Sequence, residues 1–319
     1  MEILLTGATG FVGSLLLPRL MEHGHAVSAL TRDPARMRAA LAVSPAGRPR
    51  ILAGDAVSGE GLAQALEGIE VAYYLIHSME SNAGGTSFVD RERSAAQNFA
   101  TAATAAGVRR IVYLGGLVPR WVPSDSRRPR RASRHLASRQ AVEQVLMEAV
   151  PDSLALRASI VIGAGSRSFR LLVRLVERMP VIALPGWQRF RTQPIDERDV
   201  TAMLLACATS ELSGEVLEIG GPDVLSYGEI LSEIAELMLI GRPTLRIGVN
   251  MTGLAARVAA AIAEEDPELV LPLMEGLQGD LLPREDHAAE RLGVRLHPFE
   301  SAVEHALSQW ERAEPLAAR

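Results

Sequence analysis

The chain of 319 residues contains no lysine; all 33 of its basic residues are arginine. Lysine is thereby excluded from every catalytic role. A single cysteine, Cys207, excludes an internal disulfide framework and a cysteine-based metal cluster. The seven histidines show no metal-ligand spacing, so no metal is expected. Aromatic residues make up only 4%, which argues against an extensive stacking surface. No apolar run approaches the roughly 20 residues needed to span a bilayer. A net charge of -5 argues against nucleic-acid binding as the main task. The chain opens directly on a strand-like run, Glu2 to Thr6, leaving no room for a signal peptide and setting the expectation of a cytoplasmic protein.

What is present is a hydrophobic content of 48%, enough for a sizeable core, in a regular alternation. Short apolar runs recur through the first 160 residues: Ile3–Leu5, Ala26–Leu30, Ile51–Ala53, Val71–Ile76, Arg110–Leu114 and Ser153–Leu156. Runs this short and this uniformly apolar read as strands buried on both faces. Helical patterns lie between them, at Phe11–Glu22, Phe88–Ala106 and Ser138–Ala149. Alternation of this kind predicts an α/β fold of the Rossmann type, a doubly wound parallel sheet with helices on both faces. Beyond residue 160 the spacing predicts helices at Phe169–Met179 and Glu197–Thr209 and a strand at Glu215–Ile219. Asp196-Glu197-Arg198-Asp199 reads as a helix N-terminus, not a paired-carboxylate site. Residues 226–311 read as mostly helical, broken by Pro243, Pro267, Pro272, Pro283 and Pro298, with Leu254–Ala263 a packed helix.

The strongest motif is Thr6-Gly7-Ala8-Thr9-Gly10-Phe11-Val12-Gly13, which follows the first strand and opens the first helix. Gly7 permits the tight turn, Gly10 lets a pyrophosphate approach the backbone, and Gly13 lets the helix pack close to the sheet. The free N–H groups at the helix start then face the phosphates. The second strand ends at Thr31-Arg32-Asp33, with Arg36 one turn on. An acidic residue here would hold a ribose hydroxyl, whereas an arginine suits the 2′-phosphate of NADP. Arg32 therefore favours NADP (NADPH) over NAD, and Asp33 is either a ribose partner or a helix cap. Asp55 and Ala56, after the third strand, are expected at the adenine edge. The expected organisation is an NAD(P)-binding Rossmann-like domain over 1–225, with a substrate-side insertion at 161–195, and a smaller, mostly helical substrate-side lobe over 226–319.

These motifs, with Ala72-Tyr73-Tyr74-Leu75-Ile76-His77-Ser78-Met79, Tyr113-Leu114-Gly115-Gly116-Leu117, His135-Leu136-Ala137-Ser138-Arg139 and Gln193-Pro194-Ile195, resemble the short-chain dehydrogenase/reductase superfamily. Within it the chain is similar to the atypical, NmrA-like NAD(P)-binding branch, over roughly residues 1–240. The resemblance implies that Gly7, Thr9, Gly10, Phe11, Val12, Gly13, Arg32, Asp55, Ala56, Ile76, His77, Gly115 and Arg139 line the cofactor. Typical members carry a Tyr-x-x-x-Lys pair on the helix after strand five and a serine at that strand's end. Here Gly115-Gly116 stands at the strand end, and His135 and Arg139 stand at the four-residue spacing.

Three readings are open at this point. His135 replaces the tyrosine as proton donor and Arg139 the lysine as ribose clamp; or water or His77 supplies the proton; or the protein binds NADP and catalyses nothing. The expected activity is NADPH-dependent reduction of a carbonyl, enone or quinone group in a small apolar molecule, with His135, Arg139 and His77 as the catalytic set. The alternative is a non-catalytic NADP-binding sensor or assembly subunit. An epimerase holding NAD is disfavoured by Arg32 and the missing tyrosine. Arg120, Arg127, Arg128, Arg130, Arg131, Arg134 and Arg139 surround Trp121 near the expected pocket and read either as a solvated loop or as an attractor for an anionic or carrier-bound substrate. Trp187, Phe190 and Phe169 are expected to form an apolar wall. The expected partner is a small molecule, with no nucleic acid and no membrane span, and the chain is expected to be a monomer or homodimer.

Overall fold

The computed structural model describes residues 1–41, 48–76, 88–118, 134–179, 182–184, 186–241, 244–246, 279–285 and 287–314. All seven expected strands form: β1 (Glu2–Thr6), β2 (Ala26–Thr31), β3 (Arg50–Ala53), β4 (Val71–Tyr74), β5 (Arg110–Gly116), β6 (Leu154–Ala158) and β7 (Glu215–Ile219). They pair in parallel in the order β7-β6-β5-β4-β1-β2-β3. The order reverses between β1 and β4, and the carboxyl ends of both face the crevice where ligands bind in such sheets.

Helices cover both faces. The helices are α1 (Phe11–Glu22), α2 (Pro34–Leu41), α3 (Leu62–Leu66), α4 (Phe88–Ala105), α5 (Arg134–Ala149), α6 (Arg167–Arg178), α7 (Glu197–Cys207), α8 (Tyr227–Leu237) and α9 (Phe299–Ala313), with one further turn at Ala288–Arg291; α6, α8 and α9 pack off the sheet. Side chains alternate across a strand, so β1 feeds two cores. Ile3 and Leu5 pack with Leu16, Leu17 and Leu20 of α1 and with Val200, Met203 and Leu204 of α7. Leu4 packs on the opposite face with Leu62 of α3, Phe99 of α4 and Leu146 of α5.

A third core lies off the sheet. Phe169, Leu172 and Val176 of α6 meet Tyr227, Ile230 and Ile234 of α8 and Val303, Leu307 and Trp310 of α9. Phe169 is fully buried there and so does not wall a pocket, while Phe190 packs half-buried at the edge of that core. The side chain of Trp187 lies outside the described residues. Arg170 and Arg174 stack over the Trp310 ring at 4.3 and 4.9 Å and both pair with Glu314, so α6 and α9 are joined by cation–π contacts as well as apolar area. α6 begins two residues before its apolar pattern because the Ser166 hydroxyl accepts from the Phe169 N–H. Short ladders tie the third core to the sheet: Val161–Ile162 runs parallel to Ile195–Asp196, and Arg191–Thr192 antiparallel to Leu225–Ser226. Leu254–Ala263 and the arginines from Arg120 to Arg131 lie outside the described residues. No described helix is long and apolar enough to cross a membrane.

Candidate cofactor site

The glycine motif forms the turn between β1 and α1. Gly7 holds φ at +69°, in the left-handed region, and a Cβ there would fall 2.5 Å from the Leu75 carbonyl oxygen. Gly13 packs directly on the turn: a Cβ would fall 2.8 Å from the Gly7 carbonyl carbon and closer still to its oxygen. Gly10 differs, because a Cβ there would meet only the Gly7 oxygen, at 3.2 Å, and the residue is exposed with Thr9 beside it. Gly10 is also the N-cap of α1, and it has no side chain to satisfy the helix's first N–H groups. No acidic residue stands in the first turn. The turn thus presents free donors and a positive helix end, at Phe11, Val12 and Gly13, to an open surface. An anionic pyrophosphate fits that surface.

At the end of β2, Asp33 is engaged locally. Its Oδ1 accepts the Arg36 N–H at 2.9 Å, capping α2. The helix it caps leaves Arg32 and Arg36 exposed, and neither guanidinium has a partner among the described residues. At the end of β3, Asp55 Oδ1 accepts the Val57 N–H at 2.9 Å and so closes a turn rather than a helix; Ala56 beside it is buried. That turn is held from behind by Asn98 of α4, whose Nδ2 donates to the carbonyls of Ala56 and Val57 at 3.1 and 2.9 Å. Sequence reasoning passed over Asn98; the available signal was one amide on the inward face of an alanine-rich helix. Ile76, past the end of β4, is half-buried. His77 lies outside the described residues.

At the end of β5, Gly115 is buried where the resemblance called for serine. Arg139 of α5 donates to the Leu114 carbonyl and lies 5.4 Å over the Tyr113 ring. Its guanidinium is therefore already at the strand end beside Gly115. Ser138, its neighbour, donates to Glu92 of α4 at 2.7 Å, fixing the start of α5 against α4. Burial pushes the Tyr113 phenol up to about 12, against the opposing pull of Arg139, and pushes Tyr74 up as well. The backbone of His135 lies in the first turn of α5; its side chain is outside the described residues. Among the described residues, no three histidine, cysteine or acidic side chains converge as metal ligands.

Five strand ends thus bring the motif residues to one edge of the sheet. A family model described as NAD(P)H-binding matches residues 7–159, which contain all of them. Residues 7–159 form an NAD(P)H-binding domain. A 3-beta-hydroxysteroid dehydrogenase of Mycolicibacterium neoaurum is 32% identical over 121 residues, 35% of this chain and 31% of the relative. A ceramide reductase of Caulobacter vibrioides is 28% identical over 242 residues, 74% of this chain and 70% of the relative. The mitochondrial NADH dehydrogenase [ubiquinone] 1 alpha subcomplex subunit 9 of Arabidopsis thaliana is 30% identical over 108 residues, 33% of this chain and 26% of that one. Against the dehydrogenase and the subunit, the match therefore spans less than a third of the relative. The solved structure of MoeE5 with UDP-glucose and NAD superposes with a TM-score of 0.70 at 22% identity, covering 98% of this chain and 99% of that one. At that identity the likeness speaks for the fold. It extends through the third core, well past the NAD(P)H-binding domain.

Proposed function

We propose that this chain binds NADPH and uses it to reduce a carbonyl, enone or quinone group in an apolar small molecule. The observation that carries the cofactor choice is the pair of guanidiniums, Arg32 and Arg36, free among the described residues beside an uncapped helix start. Two arginines there suit a 2′-phosphate, and Asp33 is spent on capping α2. The substrate choice draws on the relatives. One is named for a hydroxysteroid and one for ceramide, both apolar molecules that carry oxygen.

A bound nicotinamide supplies the hydride. The chain's part is to hold the substrate oxygen and deliver a proton to it. In this reading His135 donates that proton, since imidazole titrates near neutral pH. Arg139 exchanges the Leu114 carbonyl for the ribose, and His77 flanks it. The arginines from Arg120 to Arg139 attract an anionic or carrier-bound form of the substrate. Residues 1–225 carry the cofactor, and 226–319 with the 161–195 insertion form the substrate side. The protein works in the cytoplasm as a monomer or homodimer.

The test is NADPH oxidation, followed by absorbance, against a panel of lipid ketones, steroid ketones and quinones. At least one is expected to turn over, and His135→Ala is expected to lower its kcat by about a hundredfold or more, the contribution of a general acid. An unchanged kcat in that variant would transfer the proton step to water or His77. No oxidation across the panel, with NADPH binding intact, would favour the second reading, an assembly or sensor subunit. The likeness to a subunit of NADH dehydrogenase and the lack of any lysine for a Tyr-x-x-x-Lys pair support that reading.

A further inference from the structure

We propose that Glu197 takes up a proton from solvent when the cofactor's pyrophosphate docks on the start of α1, so that a carboxyl the cofactor does not touch sets its affinity. The proposal rests on the cofactor reading above. Glu197 is the first residue of α7 and is 3% exposed. Its carboxyl packs on the Cα of Gly163: a Cβ there would fall 2.7 Å from the Glu197 Cδ and 2.7 Å from the Phe11 Cζ. The tip of the Phe11 ring and the carboxyl therefore share one glycine face. Gly165 receives the flank of the same ring, with Phe11 Cδ2 at 2.7 Å from a would-be Cβ. Phe11 is the first residue of α1, and its backbone belongs to the phosphate cradle. One phenyl ring, a low-dielectric spacer, thus separates a buried carboxyl from the place where two phosphate charges arrive.

Little nearby compensates a charge on Glu197. Its Oε1 accepts no hydrogen bond among the described residues, and the nearest basic group is His305 Nε2 of α9, at 3.6 Å. On its own element, Arg198 is committed to Asp196 at 2.6 Å, and Asp199 accepts from His297. The 163–165 loop and the first turn of α1 contribute no titratable side chain. Burial, then the charge of Asp196, pushes the Glu197 carboxyl up to about 7, with Arg198 pulling the other way. Burial holds His305 below its usual value, so it stays mostly neutral near pH 7. The free protein therefore straddles the titration of Glu197 near neutrality. An added pyrophosphate disfavours its anion further, and the carboxylate becomes a carboxylic acid.

The sign follows. A group whose pKa rises on binding makes the ligand bind best below the free value, and affinity falls as pH climbs from that value to the bound one. Each unit of rise corresponds to about a tenfold change in Kd. The experiment is calorimetric titration with NADPH near neutral pH in two buffers of different ionisation heat, for the unmodified protein and Glu197→Gln. Net proton uptake is expected in the first and less in the second, whose Kd should vary less with pH. The 2′-phosphate of NADPH titrates in both proteins alike, so the difference belongs to Glu197. A carboxyl-carbon NMR titration of the unmodified protein reads the same proton without a variant. Equal uptake in both proteins, or an unmoved Glu197 resonance, overturns the proposal. Absence of NADPH binding at every pH overturns the cofactor reading and this inference with it.

Discussion

Gly13→Val is expected to abolish NADPH binding while leaving the secondary structure largely in place. The atoms a side chain would meet at Gly13 are backbone: the Gly7 carbonyl carbon at 2.8 Å, its oxygen nearer still, and the Ala8 Cα at 3.0 Å. None of these can rotate aside as a side-chain tip could. The start of α1 must therefore lift from the turn, which carries the N–H groups of Phe11 and Val12 away from the phosphates. Loss of a preorganised anion cradle removes several charge-assisted hydrogen bonds, each worth about 1.5–3 kcal/mol. Calorimetry reads the affinity and far-ultraviolet circular dichroism the fold. Binding within about threefold of the unmodified protein would contradict the assignment of this turn as the phosphate site.

Arg110→Met is expected to lower stability by about 3–5 kcal/mol, because it leaves three buried or half-buried carbonyls without their donor, each costing about 1–3 kcal/mol. Arg110 is 2% exposed at the amino-terminal end of β5. Its guanidinium donates to the carbonyls of Cys207, Ser210 and Leu212 at 2.6, 2.8 and 2.7 Å, and to Asp152 Oδ1 at 2.9 Å. One side chain thus satisfies the last carbonyl of α7 and two in the loop just past it, and ties them to the strand beneath. Burial pushes Asp152 up, but hydrogen bonds from Arg110 and Ser213 and the arginine charges outweigh it and hold the carboxyl below its usual value. A lowered folded-state pKa means that this contribution is present above the unfolded value near 4 and is lost as pH falls through the folded one. Thermal unfolding across that range should show a steeper acid loss in the unmodified protein than in Arg110→Met. The site lies at the edge of the sheet opposite the cofactor crevice, so NADPH affinity of the folded variant should be unchanged. A stability loss under about 1 kcal/mol would contradict this clamp.

The parts of the fold legible in the sequence were those whose signal is local. Strands buried on both faces announce themselves as apolar runs, and each of the seven formed close to its expected place. α1 matched its expected bounds, Phe11–Glu22, because the glycine turn marks its start. Helix α2 was expected only through its cap, Asp33: it is short, and only Met37 of its eight residues is buried. The ladders of two residues around Ile162 and Thr192 are too short for any period to show. In the site, Asp33 illustrates a competition between two readings of one carboxylate, and the cap to Arg36 took it. The surroundings of Asn98 and Glu197 were invisible in the sequence for a different reason. What makes them matter is a neighbour far along the chain: Ala56 for Asn98, and Phe11, Gly163 and His305 for Glu197. Polarity near a helix start reads as a cap until the fold shows what covers it.

The measurement closest to the central claim is calorimetric titration of the protein with NADPH and with NADH, repeated on Arg32→Ala. The account predicts tighter binding of NADPH, and a loss of about 10- to 100-fold in the variant for NADPH alone, the size of one charge-assisted contact to the 2′-phosphate. Equal affinity for both dinucleotides, untouched by Arg32→Ala, would contradict the NADP assignment; no binding of either would contradict the cofactor site itself.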